Sequence, residues 1–333
     1  MRNIIMSAAM TLPLVFGAAH AQDTLKIGYI DPLSGGGASV GEGGLKTFQY
    51  LADELNAKGG ILGHKVEIVP MDNKTNPQES LVQAQKAVDA GIHYITQGNG
   101  SSVAAALEDF VTKNNGRNPG KEVLYFNYAA VDPSLTNEKC SFWHFRWDAS
   151  SDIKMEALTN YMKGQPSIKK VYLINQDYSF GQSVRSEARK MLGAKRPDIE
   201  IVGDELHPFL KVTDFSPYVT KIKASGADTI LTGNWGQDLA LLLKAAAEGG
   251  LQARHSSRTI TASEAPLPSV TETRAKPAPS ARHADCRRRP ASPTGSPLTN
   301  QRNGGEPPSA FSARLASRVP SFRPRSIRAP SGG

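Results

Sequence analysis

From Leu25 to Ala247, short apolar runs of strand character alternate almost without interruption with stretches whose apolar residues recur every three or four positions. Parallel strands need long crossovers, usually helical, so this alternation predicts an α/β chain of parallel sheets covered by helices. Strands are expected over residues 25–30, 66–71, 92–97, 123–127, 170–174, 199–204 and 228–233. Leu45, Phe48, Leu51, Ala52 and Leu55 share one helical face, as do Leu81, Ala84, Ala87 and Val88, and each set reads as a helix packed on a sheet. Asn56-Ala57-Lys58-Gly59-Gly60 supplies the glycine stop of the first, and Pro77 with Glu79 marks the start of the second. Residues 140–151, with Trp143, Phe145, Arg146 and Trp147, break the rhythm. They read as the link between two Rossmann-like lobes, 22–145 and 146–253, with a ligand cleft between them. A loop of core aromatics inside one larger sheet is the other reading.

The ends differ from this middle. Residues 1–21 carry Arg2 as their only charge, an apolar run from Ile4 to about Gly17, and Ala19-His20-Ala21 ahead of Gln22. That is the build of a cleavable secretory signal peptide, and the run is shorter than the roughly 20 residues a bilayer span needs. A soluble exported protein in the periplasm is the expected outcome.

The formal charge of +8 belongs to the other end. Residues 1–253 hold 25 Lys and Arg against 27 Asp and Glu, whereas residues 254–333 hold 14 against 4. All 9 Tyr and 3 Trp precede residue 254, and 12 of the 22 Pro follow it. A composition poor in aromatic and β-branched residues and rich in Arg, Pro and Ser predicts a disordered tail. Arg287-Arg288-Arg289 could meet phosphates, but no aromatics are interleaved for base stacking and an exported protein meets little nucleic acid. No nucleic-acid partner is expected.

Catalytic motifs do not assemble. No G-x-G-x-x-G or P-loop can be laid on the glycine-rich stretch 34–44, which reads as a loop at a helix N-terminus able to meet an anion, or equally as a structural turn. There is no G-x-S-x-G, H-E-x-x-H or C-x-x-C, and two cysteines make no disulfide scaffold. His144, four residues after Cys140, reads as packing rather than a metal pair, and Asp72 and Asp177 read as strand-end caps rather than general acids. The chain is therefore expected not to be an enzyme and to need no cofactor.

What remains is a rim. Ser101 and Ser102 follow Gly98-Asn99-Gly100 at a helix start, where hydroxyls and exposed N–H groups form a carboxylate pocket. Residues 128–132, 175–181 and 234–237 also follow strands, and ligands of open α/β sheets sit beyond the strands' carboxyl ends. Tyr178 and Trp235 become candidate walls, although aromatics at strand ends also serve as core edges.

Ile27-Gly28 to Leu33-Ser34-Gly35, Asn56 to Gly63, Asp72 with Pro77, Gly98 to Ser102, and Asp177-Tyr178-Ser179-Phe180-Gly181 together resemble the periplasmic substrate-binding proteins of branched-chain amino acid type ABC transporters, the Leu/Ile/Val-binding family. The resemblance covers about Thr24 to Leu251. It implies a type I periplasmic binding fold, a monomer that closes on a small solute and presents it transiently to an inner-membrane ABC permease. It further implies carboxylate contacts at Ser101 and Ser102, amine-side contacts at Ala129, Ala130 and Val131, a covering ring at Tyr178 and a wall at Asn234 and Trp235. Val131 stands where amino-acid binders often carry threonine. A ligand-sensing domain of the same fold is the alternative that this resemblance leaves.

After Leu251 the family pattern of a further strand and a return to the first lobe is not legible, and the GC-rich codon residues of the tail predict a shift of reading frame between Gln252 and Arg254. If the missing segments bury even about 400 Å² of apolar surface, their loss removes roughly 10 kcal/mol. Domains are stable by only about 5 to 15 kcal/mol, so an incomplete second lobe and an impaired binder are expected.

Overall fold

The computed structural model describes residues 24–251 and 258–261; the expected leader over 1–21 and the arginine cluster at Arg287 lie outside the described residues. The elements run β1 (Leu25–Asp31), α1 (Ala38–Ala57), β2 (Val66–Asp72), α2 (Pro77–Asp89), β3 (Tyr94–Gln97), α3 (Ser101–Arg117), β4 (Leu124–Asn127), β5 (His144–Arg146), α4 (Ser151–Lys163), β6 (Lys170–Gln176), α5 (Ser179–Lys195), β7 (Glu200–His207), α6 (Ser216–Ser225), β8 (Thr229–Thr232), α7 (Gly236–Glu248) and β9 (Arg258–Thr261). Two sheets result, ordered β2-β1-β3-β4-β5 and β7-β6-β8-β9, and every pairing in both is parallel.

All seven expected strands form, and two more join them. His144–Arg146 pairs with β4, so the middle of the stretch read as a link is the edge of the first sheet, and the passage to the second lobe falls to Trp147–Ser150. The chain also does not leave the second lobe at Ala253: Arg258–Thr261 lies parallel to β8 in register Thr229↔Arg258 to Thr232↔Thr261. A four-residue strand has no room for periodicity, and its neighbours share the composition of the tail.

Local chemistry sets the helix ends. Asn76 caps α2, accepting from Gln78 N at 2.8 Å and Glu79 N at 3.0 Å, with Pro77 behind it where no N–H is needed. The glycine-rich stretch is a structural turn: a 3-10 turn at Gly35–Gly37 runs straight into α1. Gly41 within it lies where a Cβ would fall 1.8 Å from the Pro32 carbonyl, so only glycine lets α1 lean on the end of β1.

The two lobes are covered differently. In the second, α4 and α5 pack Met155, Leu158, Val184 and Leu192 on one face of the sheet, while Val219, Ile222, Leu242 and Ala246 of α6 and α7 cover the other. In the first, α2 and α3 bury Ala84, Ala87, Leu107 and Val111 against Ile30, Ile95 and Tyr125. Ile27, Tyr29, Tyr94, Phe126 and Phe145 fall on the opposite face by register. Among the described residues α1 is the only helix there. Consequently Leu51 and Leu55, expected to pack, stand 52% and 41% exposed. Phe126 is flanked by the rings of Tyr94, Phe145 and Trp147 with centroids 6.4, 5.8 and 5.6 Å away, and Trp147 is 67% exposed.

Candidate functional site

The carboxyl ends of both sheets look into one cavity of about 220 Å³. Its first-lobe side is Gly98, Asn99, Gly100 and Ser101, then Ala129, Ala130 and Val131; its second-lobe side is Tyr178, Phe180, Trp235 and Gly236. The lobes touch beside it. A Cβ on Gly36 would come within 3.1 Å of Gln237 and 3.2 Å of Leu210, and one on Gly236 within 3.3 Å of the Gly36 carbonyl.

Three helices begin at this cavity. The N-caps of α3, α5 and α7 are Gly100, Tyr178 and Trp235, and none of the three is capped by a side chain. Among the described α-helices only α2 has an N-cap side chain that caps it, Asn76, so what sets α3, α5 and α7 apart is that all three open on this cavity. The free first-turn N–H groups and the positive ends of three dipoles are thus presented to one small space. Gly100 holds φ 97°, a left-handed conformation that side-chain-bearing residues resist, and it turns the chain from β3 into α3.

Charge enters from a direction the sequence reading missed. Asp148, just past β5, and Lys154, in the first turns of α4, line the cavity and pair at 2.6 Å, with their side chains only 30% and 17% exposed. Neither is unusual in the sequence, and the pair exists only once β5 has brought residue 148 to the rim.

The second-lobe wall is aromatic. The Trp235 indole N–H donates to the Tyr178 hydroxyl at 2.6 Å, and the Tyr178 ring stacks on Phe209 with centroids 4.1 Å apart. Burial raises the Tyr178 phenol, so the hydroxyl keeps its proton and can donate onward.

Of the residues read from the sequence, Ser101, Ala129, Ala130, Val131, Tyr178 and Trp235 come together here, whereas Ser102 and Asn234 do not line the cavity. Ser102 lies one helical step of about 100° round from Ser101. Asn234 is fully buried, with its amide oxygen 2.9 Å from His207 Nε2, and the side chain that follows takes the cavity side. Ser101 does not cap its helix; its hydroxyl accepts from Asp132 N at 3.3 Å and ties α3 to the loop after β4. Gly98, which lines the cavity, also makes room for Tyr128, whose ring would lie 2.5 Å from an added Cβ. Asp72 clips the loop after β1, accepting from Leu33 N at 2.9 Å and from the Ser34 hydroxyl at 2.6 Å. His144 is packed, its ring stacked on Tyr125 at 4.9 Å and 3.4 Å from Glu108. Among the described residues no group of three His, Cys, Asp or Glu could hold a metal ion, and no helix is long and apolar enough to cross a membrane.

A profile of the family described as periplasmic binding protein matches residues 24–277, which carries the likeness past Leu251. The chain is 38% identical over 251 residues to Leu/Ile/Val-binding protein homolog 4 of Brucella abortus, covering 75% of this chain and 60% of that protein. Among solved structures it resembles the closed leucine-, isoleucine-, valine-, threonine- and alanine-binding protein of Brucella ovis, with TM-score 0.60, 38% identity, and coverage of 72% and 60%. It also resembles a solute-binding protein of an ABC transporter from R. palustris in complex with 4-hydroxybenzoate, with TM-score 0.60, 27% identity, and coverage of 72% and 61%. The chain therefore spans about 60% of the length of the relatives it matches.

Proposed function

Since the chain belongs to the periplasmic binding protein family, we propose that it is the exported solute-binding component of an ABC importer and captures a small carboxylate-bearing solute between its lobes. The observation that carries this reading is the convergence of three helix N-termini without side-chain caps, together with Lys154, on one cavity. A carboxylate placed there meets N–H donors from both lobes, so it favours the closed arrangement over the open one by the sum of those contacts. Ser101, Ala129, Ala130 and Val131 contribute the first-lobe contacts, and Tyr178 and Trp235 close the other side. Ser102 and Asn234 act behind this shell through their neighbours. An ABC permease receives the closed form, and the periplasm is where the two meet.

The names of the relatives span two ligand classes, branched-chain amino acids and aromatic carboxylates, and the cavity has features of both: Asp148 for an ammonium group, aromatic rings for an apolar body. We propose reduced affinity compared with the relatives that this chain covers to 60%; the strand Arg258–Thr261 and a family match that runs to residue 277 lie beyond Gln252–Arg254, so the shift of frame expected there is not part of the proposal. Calorimetric titration of the exported chain with L-leucine and with 4-hydroxybenzoate tests the function. Saturable one-to-one binding of either supports it; no heat and no rise in melting temperature with either, or with a panel of small carboxylates, overturns it.

A further inference from the structure

Resting on the binding role proposed above, we infer that Asp31 is the positioning residue of the cleft: without lining the cavity, its carboxylate fixes the Gly98-Asn99 loop and Tyr128 in the geometry a bound carboxylate meets.

Asp31 closes β1 and is fully buried. One of its oxygens accepts from Asn99 N at 3.0 Å; the other accepts from the Asn99 side-chain amide at 3.0 Å, from Gly98 N at 3.3 Å and from the Tyr128 hydroxyl. Gly98 and Asn99 line the cavity, and Tyr128 directly precedes Ala129, Ala130 and Val131, which line it as well. One carboxylate thus ties together the loops after β3 and β4. The knot continues to α1, because the Tyr29 hydroxyl lies 2.8 Å from that of Tyr128 and donates to the Gly41 carbonyl at 2.8 Å.

Among the described residues no cation offsets this charge. Tyr29 faces Asp31 from its own strand, and Tyr128 and Tyr125 come from β4 and the loop after it. Asp72 sits opposite on β2 but turns its carboxylate to Leu33 N, Ser34 and Lys74 N. From α1 the nearest groups are Gly41 and Gly44 beside Tyr29. Among the described residues no Lys, Arg or His pairs with Asp31. A buried carboxylate without a counter-ion is an expensive way to stabilise a core, where a neutral amide would serve. Its worth lies in accepting four donors at once, which a neutral side chain cannot do. A proton on it takes up acceptor capacity: the Tyr128 hydroxyl can turn to accept that proton, but Gly98 N and the Asn99 main-chain and side-chain N–H groups are left with fewer lone pairs, and the loops loosen. Burial pushes its pKa up to about 6, which puts that loosening just below neutrality.

Hydrogen exchange on the ligand-free full chain tests this independently of any ligand. At about pH 7.5, protection of the peptide containing Gly98 and Asn99 should be about tenfold higher in the wild type than in Asp31→Asn. In the wild type that protection, corrected for intrinsic exchange, should fall by about the same factor by about pH 5, with no such fall in Asp31→Asn. Tyr128→Phe removes one donor to the ionised carboxylate and should move the midpoint to higher pH; it keeps the test open if Asp31→Asn does not fold. A pH-independent protection in the wild type, an identical profile in Asp31→Asn, or an unmoved midpoint in Tyr128→Phe overturns the assignment. Titration with L-leucine or 4-hydroxybenzoate, whichever binds, should show the dissociation constant rising through the same pH range in the wild type only; an affinity equal in both proteins at every pH also overturns it. Absence of binding by either probe bears on the proposed function, and leaves the exchange result to decide on Asp31.

Discussion

Trp235 gives its indole hydrogen to the hydroxyl of Tyr178 across 2.6 Å, so the residues that follow β6 and β8 form one continuous wall. Replacing Tyr178 with Phe keeps the stacking on Phe209 but leaves a half-buried indole N–H without its acceptor. Unpaired buried donors cost about 1 to 3 kcal/mol. The variant should melt lower by that amount and bind its ligand about tenfold more weakly, as calorimetry and a thermal melt would register.

The Asp148–Lys154 pair gives a prediction with opposite signs for two ligands. Asp148→Asn releases Lys154 from its 2.6 Å partner and leaves the cavity more positive. Affinity for 4-hydroxybenzoate should rise severalfold and affinity for L-leucine, which brings an ammonium group, should fall. Lys154→Met should weaken both, by about 1 to 3 kcal/mol for a charge-assisted contact. Parallel titrations of the two variants check this, and a change of equal sign for both ligands in Asp148→Asn contradicts it.

Gly98→Ala, at a residue that lines the cavity, should disable the cleft through Tyr128. The added methyl would stand 2.5 Å from the Tyr128 ring, so the ring must leave Asp31 or the loop must shift. Ligand affinity should drop at least about a hundredfold, against a destabilisation of about 1 to 3 kcal/mol typical of overpacking. Gly43→Ala, with open space at its Cβ, should do neither.

Acid acts on two carboxylates with opposite signs. Arg196 and Lys169 hold Asp198 well below the usual carboxylate range, so its stabilisation is complete above the unfolded pKa of about 3.9 and is lost as pH falls through the folded one. Asp31, raised to about 6, binds its proton first in the folded state, so falling pH between about 6 and 4 favours the folded over the unfolded chain through this group, even as the loop that the ionised carboxylate holds loosens locally. Thermal melts across pH should therefore show Arg196→Met with a shallower acid limb than the wild type, and Asp31→Asn should lose the gain between about pH 6 and 4. Arg196→Met should also be less stable at neutral pH, because the guanidinium donates to the Met162 carbonyl at 2.6 Å and to that of Ile168 at 2.8 Å. The Met162 carbonyl keeps Gln165 N at 3.0 Å, so the cost is that of leaving the buried Ile168 carbonyl unpaired, about 1 to 3 kcal/mol.

Much of the architecture could be read from residues alone because strands buried on both faces are unbroken apolar runs, as Val171 to Ile174 are. The two strands that escaped notice are short edges: His144–Arg146 carries a charge at one end and Arg258–Thr261 begins with one, so neither contrasts with its surroundings. At the rim, Ser101, Tyr178 and Trp235 were legible because each follows a strand and opens a helix. Asn234 was not separable from Trp235, since which of two adjacent side chains meets the cavity depends on the backbone at the turn. Lys154 and Asp148 were invisible because a charge pair six residues apart ordinarily sits in solvent. Asp31 drew no attention because its partners lie 67 to 97 residues away.

The rings around Phe126 carry a further consequence. A hydrophobic patch on the flank of a parallel sheet, with Phe145 37% and Trp147 67% exposed, is adhesive: two molecules that collide there hide these rings from water together. Concentration, more than temperature, will then govern how long this polypeptide stays dispersed, and every binding measurement on it should be made dilute.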